Sequence, residues 1–325
     1  MMKGLRKYIL LRILSLAFVV FCILTIIFAM FKILPGDPTA IFVDARFSEE
    51  MISEQRNLWG LNDPLSIQYL RYLKNMATFD FGFAFFQVQP VRTIVLEKLL
   101  NTCAMMVPSV ILSVVLGTLL GAVAGWRRGT AFESSVVTIS LFLRSAPSFF
   151  VGILVLMVFS YQLRWLPSGG MTTPGSAAGF WQTFFSLDFL KHLILPTLVL
   201  MSREITGPIL LLRSSMLEVK GSDFLDILRA KGLPEGRIIK HATRNALLPL
   251  VTYVAVMTGL LFQGQVLLEI IFAWPGIGRE IVAALRDLDY PIAQAAFYLM
   301  ALTILLMNLI ADLLYGFIDP RITYE

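Results

Sequence analysis

Few residues in this sequence are of types able to do chemistry, and most of their spacings argue against catalysis. Two cysteines and two histidines are present. Cys22 and Cys103 fall in or at the edge of apolar runs, and neither His192 nor His241 has a partner nearby, so no Cys/His cluster has metal-ligand spacing. The cysteines are expected as free thiols that pack like small apolar groups; a disulfide would require their two helices to touch. No G-x-x-x-x-G-K-[ST] phosphate loop occurs, so the chain lacks that cradle for ATP. No set of nucleophile, base and metal ligand stands out to suggest an enzyme.

The charges that demand an explanation are Arg144, Arg203 and Glu204, which lie inside apolar runs. A charge near the centre of a bilayer costs about 2.5 to 3.5 kcal/mol on insertion scales. Three arrangements would accommodate these residues: an ion pair between Arg144 and Glu204, a water-filled translocation path, or an Arg144 that snorkels toward the cytoplasm. Neighbours on a helix point about 100° apart, so Arg203 and Glu204 are not expected to share a face. Asp312, near the inner end of the last run, reads as a structural acceptor rather than a proton relay.

The elements that must carry these residues are membrane helices. The chain is 57% hydrophobic and 15% charged, with a mean hydropathy of +0.76, outside the usual range of a soluble domain. Apolar runs long enough to cross a core of about 30 Å alternate with polar loops. Six spans are expected, at about 10–34, 103–126, 134–162, 192–212, 246–272 and 292–317. Lys3, Arg6, Lys7 and Arg12 beside the first run resemble a secretory signal. That run is too long for a signal core, however, and it ends in Pro35-Gly36-Asp37-Pro38 without a small-residue cleavage site, so it is expected to be retained.

Orientation follows from the basic residues of the short loops. The amino terminus carries Lys3, Arg6 and Lys7, the second-to-third loop Arg127 and Arg128, and the fourth-to-fifth loop Arg213, Lys220, Arg229, Lys231, Arg237, Lys240 and Arg244. In a six-span arrangement these segments share one side, whereas the opposite loops hold only Arg164 with Lys191 and Arg279 with Arg286. Both termini are therefore expected in the cytoplasm of a multi-pass membrane protein. The net charge of +5 reflects this bias and gives no reason to invoke nucleic acid.

The chain is read as residues 1–34 (amino terminus and first span), 35–95 (an outside segment), 96–317 (a five-span unit) and 318–325 (a cytoplasmic tail). Short amphipathic helices are expected at Ser48 to Leu58 and Ile67 to Met76, capping the first span. Gly117, Gly121 and Gly125 form overlapping G-x-x-x-G repeats that put a small-residue face against another helix. Gly207-Pro208 and Pro249 are expected bend points. Between spans four and five the chain is polar yet helical in pattern: Phe224, Leu225, Leu228 and Leu233 recur near helical spacing, with Gly232 and Pro234 as the stop.

Asp223 through Leu233, followed by His241-Ala242-Thr243-Arg244-Asn245-Ala246-Leu247-Leu248-Pro249, resembles the coupling-loop signature of the dipeptide, oligopeptide and nickel permease family of ABC importers. The resemblance extends in family order along the chain. It includes Pro35-Gly36-Asp37-Pro38, Gly60-Leu61-Asn62-Asp63-Pro64-Leu65 with Gln68-Tyr69, Asp80-Phe81-Gly82 and Pro147-Ser148-Phe149. It continues with Trp165-Leu166-Pro167, Arg213 to Val219, Phe272 to Arg279, Asp289-Tyr290-Pro291 and Asp319-Pro320-Arg321. One departure is that the Glu-Ala-Ala of the general signature is here Asp226, Ile227 and Leu228, so the acid survives and the small residues do not.

The resemblance implies an all-α permease of the type I importer fold, with six transmembrane helices and a cytoplasmic coupling helix between spans four and five. It assigns ATPase coupling to Asp223, Phe224, Asp226, Leu228, Arg229, Lys231, Gly232 and Leu233, and leaves Arg144, Arg203 and Glu204 as candidates for the pathway or an intramembrane pair. The implied partners are a second homologous permease, two ATP-binding-cassette ATPase subunits, an extracytoplasmic solute-binding protein and membrane lipid. ATP and Mg would be used by the ATPases, and no cofactor is expected on this chain. Peptide is the expected solute, with nickel or metal chelates and oligosaccharides as alternatives. A secondary transporter driven by an ion gradient would need an intramembrane acid and no ATPase.

Overall fold

The computed structural model of the chain describes residues 2–33, 62–87, 89–175, 179–247, 249–250, 253–254, 257 and 266–318. Its helices are α1 (Met2–Ile33), α2 (Leu65–Ala77), α3 (Val91–Trp126), α4 (Ala131–Ser145), α5 (Ser148–Leu156) with a π-helical continuation (Met157–Gln162), and α6 (Phe180–Phe184). They continue as α7 (Leu187–Glu204), α8 (Thr206–Lys220), α9 (Asp223–Ala230), α10 (Glu235–Ala246), α11 (Val266–Ile271), α12 (Ile277–Arg286) and α13 (Tyr290–Ile318). Among the described residues one isolated bridge, Phe83 to Pro90, is the only extended pairing, so the fold is all-α.

Three stretches, Tyr8–Ile33, Val91–Trp126 and Tyr290–Leu313, are long and apolar enough to cross a membrane. Two bent pairs, α4 with α5 and its continuation and α7 with α8, raise the total to five if each is one span. About half of the expected run 246–272 lies outside the described residues, and the helix expected at Ser48 to Leu58 lies wholly outside them.

The chain divides into two compact units. In the first, which contains Met1–Thr102 and Pro275–Leu309, one apolar stripe of each helix is buried. Leu24, Ile27 and Phe31 of α1 pack with Tyr72 and Met76 of α2, Val91, Ile94 and Val95 of α3, Ile277 and Ile281 of α12, and Ala293, Ala296 and Leu299 of α13. The stretch expected to be helical at Ile67 to Met76 is thus α2, held on α1 by the Thr25 and Tyr69 hydroxyls at 2.7 Å and by Lys32 donating to Gln68. The Thr102 hydroxyl accepts from the Ile277 amide at 2.9 Å and so caps α12. Asp289 accepts from the Phe85 amide at 2.8 Å and lies at the start of α13. Burial pushes its carboxyl above the ordinary pKa, against the pull of the amides it binds.

The second unit contains Cys103–Trp274 and Ile310–Ile322. The run 134–162, expected as one span, is bent by 97° between α4 and α5. Proline explains the elbow: Pro147 disfavours the helical region for the residue before it, and Ala146 is extended at ψ 135°. A gentler bend of 40° separates α7 from α8. Pro208 has no N–H to offer the Glu204 carbonyl, so the helix breaks near the expected Gly207-Pro208.

The glycine face of α3 meets α8. A Cβ on Gly121 would lie 2.6 Å from the Ile209 carbonyl oxygen, one on Gly117 2.8 Å from the Pro208 Cβ, and one on Gly125 2.7 Å from the Met216 Cβ. A separate core joins Met105, Leu156, Phe189, Leu193, Val199, Leu268, Phe272 and Trp274. Cys22 and Cys103 are free, half-buried thiols.

Candidate functional site

The polar stretch between α8 and the fifth run folds as two helices, where the pattern led us to expect one. Asp223 and Asp226 occupy the first turn of α9 and Arg229 the last, the charge order that complements a helix dipole. Leu225 is fully buried, and with Leu228 and Leu233 it packs on Leu212 and Met216 of α8, Ile238, Ala242 and Ala246 of α10, and Ala122 of α3. The helix stops in a Schellman turn. The Leu233 amide donates to the Leu228 carbonyl at 3.3 Å and the Gly232 amide to Arg229 at 2.9 Å, while Gly232 holds φ at +72°.

The other face of α9 is open. Asp223, Phe224, Asp226, Ile227, Arg229 and Lys231 are exposed, the Asp226 side chain at 76% and bonded to Arg229 Nη1 at 3.1 Å. Of the residues expected to couple, Leu228 and Leu233 therefore point inward, Gly232 shapes the turn, and the other five face outward. Leu225 anchors the helix, a role that its place in the apolar pattern allows but does not single out. Ile227, which adds an apolar patch to the outer face, is one of the departures from the general signature.

The helix α8 is fastened to the first turn of α4 and to the end of α3. Arg213 Nε donates to Glu133 Oε1 at 2.7 Å, and a second guanidinium nitrogen pairs with the same oxygen. Glu133 Oε2 accepts from the Gly129 amide at 2.6 Å, and the Thr130 hydroxyl accepts from the Glu133 amide at 3.4 Å to cap α4. Lys220 donates to the Trp126 carbonyl at 2.7 Å and lies over the Trp126 ring. Thr130-x-x-Glu133 is a capping-box pattern, the signal that could have identified Glu133 from sequence.

The charges inside the apolar runs gather where the two bent pairs cross. Thr206 donates to the Ser140 carbonyl at 2.8 Å, and Arg144 lies one turn beyond Ser140. Arg203 Nε is 3.6 Å from Glu204 Oε1. The expectation that these neighbours point apart holds for an unbroken helix, and α7 ends at Glu204, where the chain bends into α8. Arg144 forms no ion pair with Glu204, but the charges of both Arg203 and Arg144 act on the Glu204 carboxyl. Those of Glu204 and Arg144 act on the Tyr253 hydroxyl. That hydroxyl lies over Gly207, where a Cβ would be 1.8 Å away. Tyr253 sits in an apolar run with no charge beside it, and nothing in the sequence singles it out.

Among the described residues no group of three or more His, Cys, Asp and Glu is placed to hold a metal ion. Residues 117–324 match the family described as binding-protein-dependent transport system inner membrane component, and residues 5–106 match the N-terminal part described for such membrane components. The chain belongs to this family. The permease is 35% identical over 299 residues to the oligopeptide transport system permease protein AppB of Bacillus subtilis (strain 168), covering 91% of this chain and 93% of that one. It is 34% identical over 330 residues to the dipeptide transport system permease protein DppB of Alkalihalophilus pseudofirmus, covering 98% and 99% of the two chains. With the glutathione transport system permease protein GsiC of Escherichia coli (strain K12) it shares 32% identity over 320 residues, again covering 98% and 99%. Its role is that of a membrane transport component rather than an enzyme.

Proposed function

We propose that this permease forms half of the translocation pathway of an ATP-driven peptide importer in a bacterial inner membrane, and that α9 docks on an ATPase subunit. The observation that carries this reading is the likeness, along nearly the whole chain, to permeases named for oligopeptides, dipeptides and glutathione. In this reading the run at about 246–272 is the fifth of six spans, and both termini are cytoplasmic. A second homologous permease completes the pathway, two ATPases supply ATP hydrolysis with Mg, and an extracytoplasmic binding protein delivers the solute.

The geometry of α9 supports the docking role. Its inner face is locked by Leu225, Leu228 and Leu233, while Phe224 and Ile227 form an outward apolar patch rimmed by Asp223, Asp226, Arg229 and Lys231. A force on that patch passes through α8 toward Arg203 and Glu204, so rocking of the helices would open and close the pathway.

The test is co-expression with candidate partner subunits, followed by copurification in detergent and ATP-dependent uptake of a labelled tripeptide into proteoliposomes with the binding protein present. Asp226→Lys is expected to leave the permease inserted and abolish uptake. Solute accumulation without any ATPase would replace this reading with a transporter driven by an ion gradient. Uptake of a nickel chelate or an oligosaccharide in place of the peptide would change the solute only.

A further inference from the structure

We propose that Arg144, Arg203, Glu204 and Tyr253 form a subsite for the carboxylate end of the transported solute, with the two guanidinium groups as the donors. This subsite rests on the peptide-import reading above. The four residues belong to one compact unit and meet where α4 and α8 are joined by the Thr206 to Ser140 hydrogen bond. Both helices carrying the charges are interrupted there, α4 at the Ala146-Pro147 elbow and α7 at Ile205. Charged groups at helix interruptions inside an apolar layer are the setting in which membrane transporters bind solutes.

The charge balance selects the ligand. Two guanidinium groups face one carboxylate, so the cluster is left with a net positive charge. Arg203 turns its ε nitrogen toward Glu204 at ion-pair distance, 3.6 Å, its side chain is 54% exposed, and that of Glu204 is 25% exposed. Arg144 is exposed as well. Among the described residues the terminal nitrogens of neither arginine donate a hydrogen bond to the protein, so their planar forks are open to an incoming acceptor. A carboxylate accepts two parallel N–H bonds from such a fork, whereas an amide or an ammonium group does not match it. Tyr253, seated on Gly207, adds a hydroxyl at the edge. Glu204 is a positioning residue that orients Arg203. Oligopeptides, dipeptides and glutathione, the solutes in the names of the relatives, differ in side chains but share a free carboxylate. A subsite for that group would accept them all.

The experiment is equilibrium binding of radiolabelled trialanine and of its C-terminal carboxamide to the assembled importer in nanodiscs, without the solute-binding protein. The acid is expected to bind about tenfold tighter than the amide or better, as charge-assisted hydrogen bonds allow. Arg144→Gln and Arg203→Gln are expected to erase that preference, Arg203→Lys to keep part of it, and Glu204→Gln to leave acid ahead of amide. Equal binding of acid and amide by the unsubstituted importer, which needs no variant to fold, overturns the subsite and leaves peptide import standing. So does a preference that survives both glutamine variants, as it would if an acid of the partner permease occupied the arginines. Binding of neither probe by the unsubstituted importer removes the peptide reading and the subsite together.

Discussion

Gly232 holds φ at +72°, and a Cβ there would meet nothing within 4 Å. A side chain at this position therefore strains the backbone without clashing, by about 1 to 2 kcal/mol for most L residues and less for asparagine. Gly232→Ala is expected to lower thermal stability by about that amount and Gly232→Asn by less, with uptake ranked in the same order. Equal stability of all three in a detergent melting assay would exclude the Schellman turn as the feature that sets α9. The Glu133 and Arg213 pair makes a different demand. Glu133 serves Gly129 with one oxygen and Arg213 with the other, so Glu133→Gln keeps the shape of the side chain but strands the guanidinium. The single variants are expected to lose more stability together than the double variant Glu133→Gln/Arg213→Gln does. Additive losses in the same melting assay would show that the two groups act independently.

Helix contacts divide the glycines into two kinds. Gly121 has the Ile209 backbone where its Cβ would be, and backbone cannot rotate aside, so Gly121→Leu is expected to part α3 from α8 and cost about 1 to 3 kcal/mol or more. Gly236, inside α10, would carry a methyl group with no neighbour within 4 Å. Gly236→Ala should raise stability by about 0.5 to 1 kcal/mol through helix propensity alone. Opposite signs for these two substitutions in one melting series are the outcome to look for. The seam of Gly117, Gly121 and Gly125, the helix α2 and the stop at Gly232 were all legible in the sequence, because each depends on local spacing or on one residue's backbone freedom. The elbow at Pro147 was legible only as a motif, since a proline fixes where a helix breaks but the neighbours fix the angle. The approach of Arg203 to Glu204 and the arrival of Tyr253 beside them depend on that break and on a distant segment, and neither leaves a pattern in the sequence. Glu133 was within reach of sequence reasoning through its capping box, but its partner Arg213 was not.

Across the whole permease the proposed orientation can be tested from either side of the membrane. With Cys22 and Cys103 replaced by alanine, a cysteine at Lys231 is expected to react with an impermeant thiol reagent only from the cytoplasm, and one at Pro174 only from outside. The reverse pattern would invert the topology. The elbow between α4 and α5 bears on how the chain is made. Each arm counts 15 residues, α4 by itself and α5 together with its π-helical continuation. An α-helix of that length is about 22 Å long, shorter than a hydrocarbon core of roughly 30 Å. The hydrogen bond that fixes the inner arm, from Thr206 to Ser140, comes from a part of the chain synthesised later. Synthesis order then becomes a constraint: a nascent fragment released before Leu187 holds an elbow with nothing to close it, and is expected to be cleared by membrane proteolysis, whereas one extended through Lys220 persists. Pulse-chase half-lives of the two fragments would measure how long this permease remains vulnerable on its way into the membrane.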